Sequence, residues 1–230
     1  MDKRLGGEMS GTSTVPAATV AAKFLEISNE EGVPVSNLKL QKLVCLTQSL
    51  SLFRLGRPAF REDVQAWVNG PVVKPLYGLY KKYGDGPITV ADRGRFSHQS
   101  VSSHLRESID EVWRIAGPLS AASLWTLTHS VGPWEAFFKP RVSNIVIPTQ
   151  DIAVAWPQYK RKAKQLRGLR EPALSLEDAY EMIVSNGTDA NAEPADAPVI
   201  GSGQFGYRTA ADYNYAMTTF TPTRARAKGA

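Results

Sequence analysis

The sequence predicts a mainly α-helical fold: a compact helical domain with at most a minor short β element, a flexible N-terminus and a disordered C-terminal tail. Apolar residues recur at three- and four-residue steps in several segments, as they do on the buried face of a helix. Glycine or a Gly-Pro pair closes most of these segments. After residue 186 the composition shifts to small and polar residues with few aliphatic ones. The 230 residues, 43% of them apolar, suffice for one sizeable core.

Two helices are predicted in the first quarter of the chain. The first begins near Pro16, with Thr14 as a candidate cap, and runs to Gly32. The second opens at Ser36, a good N-cap residue, and stops at Gly56. Its apolar residues cover two adjoining faces, so we expect this helix to be central in the core.

Two stretches combine a Gly-Pro pair with a tryptophan, at 67–73 and at 128–134. Glycine permits backbone angles closed to other residues, and proline fixes φ and favours the first turn of a helix. Each stretch is therefore interpreted as a fixed junction between helices. Pro71 is predicted to start a third helix that ends at Gly84, after a segment, 61–68, that fits either a strand or a helix. Residues 88–90 fit a brief strand.

The second half of the chain is predicted to be helical as well. A helix is expected over about 100–116, another from Ser120, and a short helical turn over 134–138. A further helix starts near Pro148, and Pro157 should interrupt it.

The chain beyond Pro157 is divided into a basic helical extension, 158–186, and a disordered tail, 187–230. The tail has too few aliphatic residues to offset its ordering entropy. It does contain spaced aromatic residues that could fold on a partner, among them Phe205, Tyr207, Tyr213 and Tyr215. The extension holds the densest basic run, whose members are Lys160, Arg161, Lys162, Lys164, Arg167 and Arg170.

Composition excludes several classes of protein. No apolar run approaches the length of a membrane span, and residues 1–7 do not open a secretory signal. Cys45 is the sole cysteine, so neither an intramolecular disulfide nor a thiolate-rich metal site can form. Three histidines cannot build a zinc site without carboxylates. We therefore expect a cytoplasmic protein with no metal or cofactor and no membrane partner.

The motifs, taken in order, resemble the Panacea domain, also called the SocA-like antitoxin or GepA-like phage-associated family. The resemblance covers about residues 15–156 and is carried by five segments: Asn37 to Leu43, Leu55 to Phe60, Gln65 to Val73 with the following Tyr77 and Tyr80 to Gly84, Asp110 to Trp113, and Thr128 to Trp134 followed by Ile147-Pro148. It implies one such domain over 15–157, preceded by a flexible segment, 1–14.

The resemblance also implies a function. Family members are commonly antitoxins that neutralise a toxin encoded beside them, and one member instead delivers its toxin to the ClpXP protease as an adaptor. The implied partner is therefore a cognate toxin protein, with ClpXP as a second partner in the adaptor mode. The basic run and a net charge of +5 leave an alternative open, a nucleic-acid-binding regulator of its own operon.

His129 is the obvious candidate for catalysis, but the sequence offers it no partner. Ser130 is adjacent, and neighbours on a helix point about 100° apart. No nucleophile elbow, zinc-binding helix or phosphate-binding loop appears. We therefore expect a non-enzyme in which His129 forms hydrogen bonds near a helix C-terminus.

The candidate partner-binding residues of the domain are Asn37, Lys39, Lys42, Trp67, Tyr77, His129 and Trp134. Trp67 and Trp134 fit either a partner contact or the core, since tryptophan is common in both. Trp113 is expected in the core. Lys39 and Lys42 are expected to be solvated beside a packed face, with a groove near Asn37 and Trp67 as the alternative.

Overall fold

The computed structural model describes residues 14–89 and 99–168. The mainly α-helical prediction is confirmed, because this part of the chain contains seven α-helices and one two-stranded sheet. The predictions for residues 1–13, for residues 169–186 and for the tail, 187–230, lie outside the described residues.

The helices and strands follow one another in a simple order. A 3₁₀ turn, Lys81–Tyr83, directly follows the third of the seven α-helices. The elements are α1 (Ala17–Glu30), α2 (Asn37–Leu55), β1 (Gln65–Trp67), β2 (Gly70–Val72), α3 (Lys74–Tyr80), α4 (Ser103–Ala116), α5 (Ala121–Ser130), α6 (Trp134–Phe137) and α7 (Thr149–Gly168).

Helix α2 is the centre of the core, as the sequence predicted. Every residue from 39 to 52 is buried, and α1, α3, α4, α5, α7 and β2 all pack on it. Both predicted ends are confirmed: the Ser36 hydroxyl accepts a hydrogen bond from the Lys39 N–H, and Gly56 takes the left-handed conformation with φ of 62°.

The buried polar side chains of α2 hold irregular parts of the chain. Gln48 binds the backbone of residues 59–60, with its Oε1 accepting from the Ala59 N–H at 2.7 Å. The Ser49 hydroxyl donates to the Ile152 carbonyl of α7 at 2.7 Å. Burying such groups is tolerated because each one is hydrogen-bonded.

Helix α1 begins differently from the prediction. Pro16 is its N-cap rather than its first residue, and no side chain caps the helix locally, so Thr14 is not the cap. Instead the Ala17 N–H donates to Oε2 of Glu62 at 2.8 Å. A carboxylate distant in sequence thus serves a free N–H of the first turn.

The first Gly-Pro pair was wrongly interpreted as a helix junction. Gly70 and Pro71 belong to β2, which pairs antiparallel with β1, so the ambiguous segment before them contains a strand. The third helix starts at Lys74, and Pro75 supplies the proline of its first turn. The second pair is confirmed as a junction, since Pro133 is the N-cap of α6.

Strand β1 has a neighbour on its other side. Gln65 forms a bridge with Val146, flanked by hydrogen bonds from the Ala66 N–H to the Ile145 carbonyl and from the Ile147 N–H to the Val64 carbonyl, both 2.8 Å long. The loop before α7 is thereby fixed to the hairpin.

The predicted strand at 88–90 is wrong for the described residues. Ile88 donates one N–H to the Val35 carbonyl beside an isolated bridge and forms no strand.

Helix α7 runs without a break through Pro157, contrary to the prediction. Pro157 is exposed, while Trp156 and Tyr159 beside it are buried. Packing of these aromatic residues offsets the cost of one missing backbone hydrogen bond. The domain boundary predicted after residue 157 therefore falls inside one helix.

Among the described helices, none combines the length and the apolar character that a membrane crossing requires.

Candidate functional site

The turn of the β1–β2 hairpin lies against three side chains from three helices. Its backbone carbonyls point into the body of the domain rather than toward water. We call Lys42 of α2, His129 of α5 and Trp134 of α6 the hairpin clamp. Their contacts are Trp134 Nε1 donating to the Trp67 carbonyl at 2.7 Å, His129 Nε2 at 3.3 Å from the Val68 carbonyl, and Lys42 Nζ donating to the carbonyls of Asn69 and, at 3.1 Å, Pro71.

Gly70 lets the hairpin approach the clamp. Its φ is 90°, in the left-handed region that side chains disfavour. A Cβ at this position would lie 2.7 Å from Lys42 Nζ, 3.0 Å from His129 Cε1 and 3.1 Å from Thr128 Oγ1. Glycine is therefore required here for both its conformation and its lack of a side chain.

Four rings form an aromatic stack that includes two residues of the hairpin clamp, His129 and Trp134. Trp125 and His129 stack with ring centroids 3.8 Å apart, and Trp134 meets His129 edge-on at 4.0 Å. Phe138 stacks on Trp134 at 4.7 Å. The imidazole thus lies between two tryptophan rings.

The protonation of His129 is set by its surroundings. Burial and the nearby Lys42 lower its pKa to about 3, although its contacts with two carbonyls oppose this shift. Both contacts are with carbonyl oxygens, which only accept, and a neutral ring has one N–H to donate. The shorter contact, 2.7 Å, joins Nδ1 to the Trp125 carbonyl. The Ser130 hydroxyl donates to the Thr126 carbonyl and not to this ring.

Lys42 is a buried amine with two carbonyl partners. Burial lowers its pKa to about 7, and Cys45 acts weakly in the opposite direction. Burial likewise raises the pKa of the Cys45 thiol to about 12. The described residues contain no cluster of three or more His, Cys, Asp or Glu that could bind a metal ion. The side chains of the hairpin clamp thus hold the β1–β2 hairpin in place.

Comparison with known proteins places these residues in a family. The model of the SocA-like antitoxin family, Panacea domain, matches residues 40–135, which include all three clamp residues and the hairpin. Antitoxin SocA of Caulobacter vibrioides (strain NA1000 / CB15N) is 31% identical over 143 residues, which cover 57% of this chain and 75% of that protein. The chain belongs to the SocA-like antitoxin family. No solved structure matches it.

In this SocA-like domain, six of the seven predicted partner-binding residues of the domain meet around the hairpin: the three residues of the hairpin clamp together with Trp67, Tyr77 and Asn37. The Trp67 and Tyr77 rings lie edge to face, 5.2 Å apart, and both side chains are half-buried. Asn37 is buried and donates to the Tyr77 carbonyl at 3.4 Å. Trp134 lies in the core, 5% exposed, so its role is internal.

The expectation that Lys39 and Lys42 are solvated is wrong. Their exposed fractions are 6% and 0%. The reason is that α2 is covered on all sides, so no face of its middle is left for solvent. Trp113 is in the core, as expected, and its Nε1 donates to Glu31 at 2.8 Å.

The described part of the predicted basic run lies on the C-terminal half of α7. Lys160 and Arg54 both bind the carboxylate of Glu111 on α4, so part of this charge is neutralised. Arg161, Lys164 and Arg167 are exposed. The remaining predicted candidates, Arg170 and the tail aromatics Phe205, Tyr207, Tyr213 and Tyr215, lie outside the described residues.

Sequence reasoning missed several residues that build the site. Trp125 precedes His129 by four residues, a spacing that places both rings on one helix face and could have indicated the stack. Gln41, one residue before Lys42, receives the Val73 N–H at 3.0 Å and fixes the chain after the hairpin. The backbone freedom of Gly70 was expected from sequence, but its close approach to Lys42, His129 and Thr128 was not, because these neighbours come from distant parts of the chain.

Replacing Lys42 should change how stability depends on pH in this SocA-like domain. Unfolded lysine keeps its proton up to about pH 10.4, whereas folded Lys42 loses it above about 7, so the unfolded state binds more protons between these values. The free energy of unfolding should therefore rise with pH from 7 to 9, by up to about 1.4 kcal/mol per unit. In Lys42→Met this rise should disappear in urea titrations across that range.

The exposed Lys164→Met is the matched control and should keep the wild-type profile. Above pH 9 the buried Cys45 thiol acts with the opposite sign, since its raised pKa favours the folded state at lower pH. His129 is neutral throughout this window. A rise of the same size in Lys42→Met would show that another group causes it.

Proposed function

We propose that this protein is an antitoxin that neutralises a cognate toxin by direct protein-protein contact, without catalysing a reaction. The observation that carries the proposal is its similarity to Antitoxin SocA over three quarters of that protein. The geometry supports it, because the residues inside the family match build a fixed hairpin and leave Trp67 and Tyr77 at the surface. Preformed surfaces bind with a small ordering cost.

The arrangement of the polar residues supports a role in binding. The most reactive candidate, His129, is buried between two tryptophans with both ring nitrogens facing backbone carbonyls. A general base would need to reach a substrate proton. Lys42 is fully buried and bound to the hairpin carbonyls. These groups stabilise the fold, and we expect the protein to act by contact in the cytoplasm.

Co-expression tests the proposal. The neighbouring reading frame should stop growth when expressed alone, and growth should return when this chain is expressed with it. The purified proteins should also form a complex that survives gel filtration. A neighbour that is harmless alone, or one that stays toxic in the presence of this chain, contradicts the proposal.

Two modes of neutralisation are compatible with binding, and one measurement separates them. If the antitoxin masks the toxin, the toxin half-life should be the same in cells with and without ClpXP. If it delivers the toxin to ClpXP, the half-life should lengthen, and toxicity should return, when ClpXP is removed. The delivery mode is supported by the resemblance to a family in which one member delivers its toxin to ClpXP.

Nucleic-acid binding remains the alternative prediction. Three exposed cations on α7, Arg161, Lys164 and Arg167, are compatible with it. Neutralisation of Lys160 by Glu111 makes a solvated helix face the simpler interpretation of this segment.

A further inference from the structure

The outer face of α7 carries cations that have no ionic partner in the described part of the chain. Arg161, Lys164 and Arg167 follow one another at three-residue steps on the C-terminal half of the helix, and all three are exposed. The ion pairs of the described residues involve α7 only through Lys160, which binds Glu111. We call the surface formed by Arg161, Lys164 and Arg167 the α7 basic face.

The helices that pack on α7 leave this charge uncompensated. Neither α2 nor α5 contains an acidic residue. Helix α4 contains three, one of which, Glu111, is already shared by Arg54 and Lys160. Helix α7 has a single acidic residue, Asp151, in its first turn, far from the α7 basic face. The other two acidic residues of α4 are equalled by two arginines of the same helix: Glu107 and Asp110, Arg106 and Arg114.

The charge of the chain changes sign directly after this helix. Between Asp151 and Glu171 the sequence has six basic residues and no acidic one. Between Arg170 and Arg208 it has seven acidic residues and no basic one. Blocks of like charge of this size are typical of segments that bind an oppositely charged surface. The first part of the acidic block, 171–187, lies outside the described residues and contains Glu171, Glu177, Asp178 and Glu181.

The acidic block starts within reach of the α7 basic face. Helix α7 ends at Gly168, and Arg161 lies about 10 Å before that end, at 1.5 Å per residue. Thirteen residues lead from Gly168 to Glu181, and an extended chain covers up to about 3.3 Å per residue, so this segment is long enough to return. A tethered group also has a high effective concentration, which falls as the tether lengthens. Residues 171–187 are therefore favoured over the rest of the block.

We propose that the acidic segment 171–187 binds the α7 basic face of its own chain and thereby keeps nucleic acid off that face. Its carboxylates compete with phosphates for the same three cations. Each exposed ion pair is weak, so the contact depends on several pairs that a tethered segment forms at once. This inference is independent of the proposed function, since it concerns a surface of the chain alone and not a toxin.

Carbodiimide cross-linking of the full chain tests the contact. The reagent joins an amine to a carboxylate that touches it, so Lys164 should link to carboxylates of 171–187 at low salt, and high salt should suppress the links. Lys74 is the control, because it is exposed and its Nζ binds Asn144, away from α7. An equal mixture of isotope-labelled and unlabelled chains shows which chain each link joins. Links between two chains, or no links to Lys164, would overturn the proposal.

Binding of a labelled DNA duplex by two full-chain variants tests the competition. One variant neutralises three carboxylates inside 171–187 and the other neutralises three beyond it, so both have the same net charge. At low salt the first should bind DNA about tenfold or more tightly than wild type, and the second should stay within about threefold of wild type. The variants are Glu177→Gln/Asp178→Asn/Glu181→Gln and Asp189→Asn/Glu193→Gln/Asp196→Asn.

A third variant locates the DNA. Adding Arg161→Gln, Lys164→Gln and Arg167→Gln to the first variant should remove its gain in affinity, and these exposed positions tolerate substitution. A gain that persists would place the DNA elsewhere, and equal gains in the first two variants would show that net charge alone is responsible. Either result overturns the proposal. So does a first variant that binds DNA no more tightly than wild type, including one that does not bind it.

Discussion

Gly70→Ala is expected to lower the free energy of unfolding by about 2–5 kcal/mol. Two causes add. Alanine at a φ of 90° is strained, and its Cβ would lie 2.7–3.1 Å from atoms of Lys42, His129 and Thr128. The hairpin must then move away from the clamp, which also weakens the hydrogen bonds of Lys42. Urea unfolding followed by tryptophan fluorescence measures the change.

Two other glycines serve as controls for the two causes. Gly56 has a φ of 62° but open space around it, so Gly56→Ala should cost only the strain, about 1–2 kcal/mol. Gly78 has neither a left-handed φ nor neighbours within 4 Å, so Gly78→Ala should be neutral or slightly stabilising. A Gly70→Ala protein no less stable than Gly56→Ala would show that the hairpin does not approach the clamp as closely as described.

His129→Ala is expected to destabilise the domain by about 2–4 kcal/mol. The substitution removes the ring between Trp125 and Trp134 and leaves a cavity in the aromatic stack. It also removes the contact of His129 Nε2 with the Val68 carbonyl. Thermal unfolding measures the loss. His104→Ala is the control, since the His104 side chain is 69% exposed, and it should change stability by less than about 0.5 kcal/mol.

The same variant distinguishes a structural histidine from a catalytic one. If His129 performed chemistry, His129→Ala would abolish neutralisation while the melting temperature stayed unchanged. The acid side of the stability profile gives a second measurement. Folded His129 titrates near pH 3 and unfolded histidine near 6.5, so its stabilising contribution is complete above 6.5 and is lost progressively as pH falls toward 3. His129→Ala should lack this part of the acid sensitivity.

The helical fold was predictable because its signals are local. Ser36 and Gly56 begin and end α2 through contacts within a few residues of each helix end, and such contacts are visible in sequence. Pro157 shows the limit of local rules. Its ring costs one hydrogen bond in any helix, but the burial of Trp156 and Tyr159, which offsets that cost, depends on the packing of α7 against distant helices.

The candidate site was harder to predict for the same reason. The two Gly-Pro pairs are alike in sequence, yet Pro133 caps a helix and Pro71 lies in a strand. The difference is made by Lys42 and Gln41, about thirty residues away, whose side chains bind the hairpin backbone. Lys42 was expected to be solvated, but it is buried, because the hairpin backbone supplies the hydrogen-bond partners that the burial of a charged side chain requires. Trp67, Tyr77 and His129 were named from sequence, but their grouping came from the fold.

The single cysteine of the chain, Cys45, can be used to measure how often the domain opens. Cys45 lies on the covered face of α2 with 6% of its surface exposed, and its thiol pKa near 12 leaves almost no thiolate at neutral pH. A thiol reagent can therefore modify it only in molecules whose centre has come apart. The rate of labelling therefore measures how often the domain opens, without an engineered cysteine, in wild type and in every variant that keeps Cys45.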